Sequence, residues 1–237
     1  MTALVPKYLP SRYHRPVWHL GEQFDEAMLA ALTPGMRMLD LGSGRSPALW
    51  PKDRPSGTTY AGLDISMTEL EAAPPGSYDE MHQADATHRT QQLENRFDLI
   101  VSFQVFEHVK PLDVAFENMR TYLKPGGRAI IQMSATWSVF GLINQLIPQR
   151  LSVWLLRKAT GRSKESVFPA PYHKCSNSAL TKILEPWSTF EIHPLYLGAD
   201  YFKFFGPLAR AYVLYENWAL RGGHRNLASH YLVVAQK

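Results

Sequence analysis

The chain has 237 residues, 45% hydrophobic and 19% charged, the balance of a globular protein able to bury a sizeable core in one α/β domain. Its single cysteine, Cys175, excludes an internal disulfide framework and a cysteine-rich zinc site, which makes a reducing cytoplasm the expected compartment. The formal net charge of +4 is unevenly divided, with 11 Lys and Arg against 16 Asp and Glu in residues 1–123 and 14 against 5 in residues 124–237. A basic half of this kind suits an anionic substrate, an anionic lipid surface or nucleic acid.

The first ten residues lack an apolar run leading to a small-residue cleavage site, so a secretory signal is not expected. Residues 22–32 read as a helix with Phe24, Met28, Leu29 and Leu32 on one side, stopped by Thr33-Pro34-Gly35. Apolar runs at 36–41, 59–64, 80–84, 97–102 and 128–133 read as strands alternating with helical patterns, which specifies βαβ units and a parallel sheet with helices on both faces. The first strand leads into a glycine turn and then, by its pattern, into a helix whose first turn tolerates Pro47. A further helix is expected from 111 to 123, ended by Lys124-Pro125-Gly126-Gly127. After the fifth strand comes an insertion without strand signal: helices at 139–146 and 151–159 hinged at Pro148, then one from 176 to 184 capped by Ser176 or Asn177. A strand at 190–195, an aromatic-rich helix around 208–220 and a terminal strand at 230–235 complete the chain.

The chemistry concentrates at the strand tips. In Asp40-Leu41-Gly42-Ser43-Gly44, two residues without a Cβ allow a ligand to approach the backbone closely. Asp64 ends the next strand 20 residues past Gly44, where a carboxylate accepts hydrogen bonds from both hydroxyls of a ribose. The combination specifies an adenosine site. A nicotinamide dinucleotide would call for a third glycine at position 47, which is Pro47, and a pyrophosphate is a poor neighbour for Asp40. A cationic ligand, S-adenosylmethionine, fits both features.

The run from 36 to 133 resembles class I S-adenosylmethionine-dependent methyltransferases of the small-molecule, ubiquinone-biosynthesis-like group. The blocks that carry the resemblance are Leu39-Asp40-Leu41-Gly42-Ser43-Gly44, Gly62-Leu63-Asp64-Ile65-Ser66, Ala84-Asp85-Ala86, and Phe97-Asp98-Leu99-Ile100-Val101-Ser102 followed by Phe106-Glu107-His108-Val109 and Leu123-Lys124-Pro125-Gly126-Gly127. It departs from the pattern at Ser46, where many members have glycine. The resemblance implies a Rossmann-like, seven-stranded, mostly parallel sheet with its last strand antiparallel and a helical insertion after the fifth strand. It implies one domain, in which 1–35 form a cap, 36–134 the cofactor-binding core, 135–189 a helical lid, and 190–237 the completion of the sheet with the aromatic helix. It assigns Asp40, Gly42, Ser43 and Gly44 to the methionine end of the cofactor, Asp64 to the ribose and Ile65 to the adenine face. Asp85, beside Ala86, would accept from the adenine amino group, and Phe103 and Gln104 would line the sulfonium region.

His108, which faces the transfer zone in this reading, and His173 and Tyr172, in a segment resembling a substrate mouth, are the candidates for handling an acceptor proton. The alternative readings are a cap or packing role for His108 and a fastened proline-rich loop for Tyr172 and His173. Residues 150–164 place Leu151, Trp154, Leu155 and Lys158 on an apolar stripe edged by cations, the pattern of a peripheral membrane helix or of a lid over a pocket. The histidines form no convincing metal constellation, so no metal is expected. Ser102-Phe103-Gln104-Val105 lacks the Asn/Asp-Pro-Pro-Tyr pattern associated with base methylation, which argues against nucleic acid as substrate. The expected acceptor is a small or lipid-like molecule, and the expected location is cytoplasmic or peripheral at a membrane surface. Cyclisation aided by the sulfonium and a non-catalytic scaffold are the other readings.

Overall fold

The computed structural model describes residues 21–137, 171–202 and 206–237, and the side chains of 200 and 201 are not among those described. The helices expected at 139–146 and 151–159, the basic stripe of 150–164 and the start of the N-terminal cap lie outside the described residues. Within them, seven strands form one sheet: β1 (Arg37–Leu41), β2 (Thr59–Asp64), β3 (Glu80–Gln83), β4 (Phe97–Phe103), β5 (Leu123–Ser134), β6 (Thr189–Leu195) and β7 (His230–Gln236). Their order is β3-β2-β1-β4-β5-β7-β6, and β7 runs antiparallel to both neighbours while the pairs from β3 to β5 are parallel. The expected Rossmann-like sheet with an antiparallel last strand is therefore present.

Burial on both faces explains the nearly unbroken apolar reading of the central strands. One face, carrying Met38, Leu99, Val101 and Ile130, packs against Phe24 and Met28 of α1 (Glu22–Ala31). The opposite face, with Leu39, Ile100, Ile131 and Met133, packs against Phe116 and Met119 of α3 (Leu112–Tyr122) and Leu180 and Leu184 of α4 (Asn177–Leu184). A short helix, α2 (Met67–Glu71), follows β2 and is capped by Ser66 Oγ, which accepts from the Glu69 amide at 3.3 Å. Chain order reverses between β1 and β4, and the cleft beyond their carboxyl ends is the usual ligand position in such sheets.

Two local expectations are corrected. The glycine turn after β1 does not enter an α-helix: Pro47, Pro51 and Pro55 withdraw three amide donors, and the segment holds only a 3-10 turn at Pro51–Asp53. Lys124-Pro125-Gly126-Gly127 ends α3 but is absorbed into β5, where the register with β4 shifts between Phe97 and Leu99. Lys124 Nζ then lies 2.8 Å from both oxygens of Asp98, fastening the irregular stretch to β4. The expected aromatic helix, α5 (Gly206–Arg221), is present, and its Tyr212 packs with Phe202 and Ala209 in a satellite cluster.

Gly62 shows how tightly the second strand is packed. A Cβ there would meet the Tyr78 ring at 2.7 and 2.8 Å and Leu70 Cδ2 at 3.0 Å. Because two buried neighbours would have to move, Gly62→Ala is expected to destabilise the fold by about 1–3 kcal/mol, read as a lower urea midpoint at unchanged slope.

Candidate active site

The turn after β1 is built around a buried carboxylate. Asp40, 2% exposed, receives hydrogen bonds at Oδ2 from the Ala48 amide (2.7 Å) and the Tyr60 hydroxyl (2.6 Å). Tyr60 OH in turn accepts from the Leu49 amide at 3.1 Å, and the Arg54 guanidinium stacks 4.0 Å from the centre of the Tyr60 ring. These bonds close the proline-rich segment back over β1 without a helix. Burial pushes the Asp40 carboxyl up to about 6, against the lowering effect of its two donors and of Arg54. Tyr60 is pushed well above its usual value by burial and by the neighbouring carboxylate.

Asp64 converges on the same turn. Its Oδ2 accepts from the Gly44 amide at 3.0 Å and its Oδ1 from the Ser66 amide at 2.9 Å, while partial burial raises its pKa. Tyr78 donates to the Gly44 carbonyl at 2.8 Å, and Arg45 forms a two-point ion pair with Glu69 of α2 at 2.7 and 2.6 Å. The two glycines differ in what surrounds them. A Cβ on Gly42 would collide with the Val105 side chain, so packing as well as its positive φ of 78° requires this glycine. Gly44 meets nothing closer than 3.6 Å and is needed for its positive φ of 50°.

A cleft of about 450 Å³ opens beside this turn, walled by Gly42, Ser43, Pro47, Phe24 and Phe103 and carrying the carboxylates of Asp25 and Asp40. Phe24 of α1 packs on Phe103 with ring centres 5.1 Å apart, which puts α1 across one side of the opening. Ser43 Oγ is buried there with no hydrogen-bond partner. Among the described residues neither carboxylate forms a salt bridge, and with the Ser43 hydroxyl they could receive a cationic, hydrogen-bonding group.

The other predicted residues take distinct positions. Ile65 is 56% exposed just past Asp64, an uncovered apolar side chain in the place expected for an adenine face. Asp85 uses Oδ1 to accept from both the amide and the hydroxyl of Thr87 at 2.8 Å, and the Ala86 carbonyl accepts from Asn118 at 2.9 Å. Gln104 has a left-handed backbone, φ 56°, and its amide donates to the Gln132 carbonyl at 2.7 Å. His108 is exposed in a 3-10 turn after β4. His173 Nδ1 accepts from the Leu112 amide at 3.3 Å and so caps α3, while Tyr172 is buried at 5% exposure with its amide donating to the Glu107 carbonyl. Sequence reasoning missed Tyr60, Asp25, Glu107 and Gln132. The last two carried a signal: Gln132 interrupts the apolar run from Ala129 to Met133, and both side chains are buried.

Comparison with known proteins agrees with this geometry. A family model described as a methyltransferase domain matches residues 18–173. The ubiquinone biosynthesis O-methyltransferase of Brucella melitensis is 30% identical over 208 residues, covering 86% of this chain and 73% of its own. Among solved structures, an S-adenosylmethionine-dependent methyltransferase from Mesorhizobium loti superposes with a TM-score of 0.54 at 18% identity, covering 92% of this chain and 98% of its own. Phosphoethanolamine N-methyltransferase 2 of Haemonchus contortus, in complex with S-adenosyl-L-methionine, gives 0.54 at 16% identity, with 91% of this chain matching 52% of the longer protein. At such identities the two structures speak for the fold alone. With a parallel sheet reversed at β1 and β4, an acidic cleft beside the glycine turn and a matching family model, the chain belongs to the class I S-adenosylmethionine-dependent methyltransferases.

Proposed function

We propose that this methyltransferase acts on a small or lipid-like acceptor and methylates an oxygen of it, the reaction named for its Brucella relative. The observation that supports the cofactor's placement is the cleft carrying Asp25 and Asp40 beside a turn anchored by Asp64. When bound, S-adenosylmethionine supplies a methyl group on a sulfonium, open to in-line attack by the acceptor. Asp40 and the Gly42, Ser43 and Gly44 backbone would hold the methionine end, with the unpartnered Ser43 hydroxyl as a further contact. Asp64 would exchange part of its bonding to Gly44 and Ser66 for the ribose hydroxyls. Ile65 would cover one adenine face, and Asp85 and Ala86 would meet its edge. Phe103 and Gln104 would border the sulfonium and exclude water from it.

His108 is the group we assign to the acceptor proton, because it is exposed where β4 ends. His173 and Tyr172 are assigned a supporting role: one nitrogen of His173 accepts from α3, and Tyr172 is buried with its amide bonded to the Glu107 carbonyl. Peripheral contact with a membrane through 150–164 is proposed on its apolar stripe edged by cations, and a cytoplasmic location on the single cysteine. No helix among the described residues is long and apolar enough to cross a membrane.

Two outcomes test the cofactor site. Calorimetric titration with S-adenosylmethionine is expected to show single-site binding that Asp64→Ala weakens at least tenfold; unchanged affinity would place the site elsewhere. Asp40 yields a prediction with opposite signs for stability and binding. Its folded pKa of about 6 lies above the unfolded value of 3.8, so the protonated form is favoured by folding and stability is lost as pH rises between them. By pH 8 the ionised carboxylate costs the ligand-free protein up to about 3 kcal/mol. Asp40→Asn is therefore expected to raise the melting temperature of the ligand-free protein at pH 8, with no gain at pH 4, while weakening S-adenosylmethionine binding at least tenfold.

A further inference from the structure

Beyond Phe103 the same sheet face carries a second polar group of residues. Asp40 pairs in register with Val101, and Val101 with Ile130; one pleat further, Phe103 pairs with Gln132. Gln132 thus stands on the face that bears Asp40, one strand away from Phe103 of the cleft wall. Its side chain is fully buried, and neither its Oε1 nor its Nε2 has a hydrogen-bond partner. Ser134, next on that face, places its hydroxyl 2.9 Å from Gln104 Oε1 and 2.9 Å from Glu107 Oε1. Gln104 Nε2 and Glu107 Oε2 are buried without partners as well. A serine hydroxyl has a single proton for those two oxygens, and burial raises the pKa of Glu107.

Four unpaired polar atoms in one buried group are far from the norm, since each costs about 1–3 kcal/mol when unmet. Gln104 also holds a left-handed backbone that a non-glycine residue adopts at a cost. The set contains two acceptor oxygens and two amide donors; among the described residues no lysine or arginine is bonded to it, and the neighbouring His108 acts on Glu107 only electrostatically. An anionic group would face Glu107 and Gln132 Oε1; an ammonium would face two amide donors. A neutral hydroxyl, which donates once and accepts twice, answers both kinds.

We propose that Gln104, Glu107, Gln132 and Ser134 form the polar floor of the acceptor pocket and bind the uncharged hydroxyl of the acceptor, with Gln132 as the residue that selects for it. This rests on the methyltransferase reading above and identifies the group that reading must accommodate. Gln132 Nε2 donates to the hydroxyl oxygen, and the hydroxyl donates to Gln132 Oε1 or Glu107 Oε2.

The test uses the full chain saturated with S-adenosylhomocysteine, whose own binding is measured first; its failure strikes the cofactor site and not the floor. Calorimetry then compares 4-butylphenol with butylbenzene, which differs by the hydroxyl alone. The phenol is expected to bind at least tenfold more tightly. Gln132→Leu is expected to abolish that preference while keeping S-adenosylhomocysteine affinity, and to leave the melting temperature unchanged or higher because two unpaired buried atoms are removed. Ser134→Ala, a smaller change, is expected to reduce the preference. Equal or undetectable binding of both probes to the parent protein would overturn the proposal, as would a preference that survives Gln132→Leu. A floor occupied by ordered water only would appear as the first of these.

Discussion

The hydrogen bond from Tyr60 to the buried Asp40 carboxylate, 2.6 Å long, is the contact on which the rest of the cofactor cleft depends. It joins β2 to the tip of β1, and through the Ala48 and Leu49 amides it draws the proline-rich segment back over the strand. Without a helix after the glycine turn, these side-chain bonds do what a helical ladder does elsewhere: they satisfy the backbone and hold its path. The turn between them exposes Ser43 to the cleft and offers the Gly44 amide to Asp64. A single buried acid thus shapes the loop and supplies its negative field.

That arrangement is costly in the empty protein. Burial resists the ionised form of Asp40, and the Ala48 and Tyr60 donors and the Arg54 charge offset only part of that resistance. Under the proposed function, a cationic ligand in the cleft would meet that charge, and part of the stability lost in forming the site would return as affinity. The floor of Gln104, Glu107, Gln132 and Ser134 follows the same logic with neutral groups. In both places polar groups are held out of water, which under the two proposals would be preorganisation at the expense of the ligand-free state.

Much of the architecture is legible in the chain because the parallel sheet is buried on both faces. Apolar runs such as Met38-Leu39 and Leu99-Ile100-Val101 have no other stable setting, and each strand tip carries its polar punctuation. The convergence of Asp64 on the residue 42–44 turn followed from spacing, since β1 and β2 are parallel neighbours and their tips lie side by side. The helix expected at Pro47 did not form, because a proline that fits one first turn cannot offset two more within eight residues. The sequence leaves His173 between a proton carrier and a fastening residue of a proline-rich loop, and its contact with the Leu112 amide is visible only in the fold.

The order of apolar runs, the glycine turn and the carboxylates at strand ends determined the fold class, the cofactor class and one end of the site, because these depend on periodicity and on residues close to a strand tip. Tertiary structure alone decided that Gly42 makes room for Val105, that Tyr60 shares the proton economy of Asp40, and that Gln104, Glu107, Gln132 and Ser134 meet. Those facts join residues from different strands and turns, and lateral register and burial are set by packing of the whole sheet rather than by any local run of sequence.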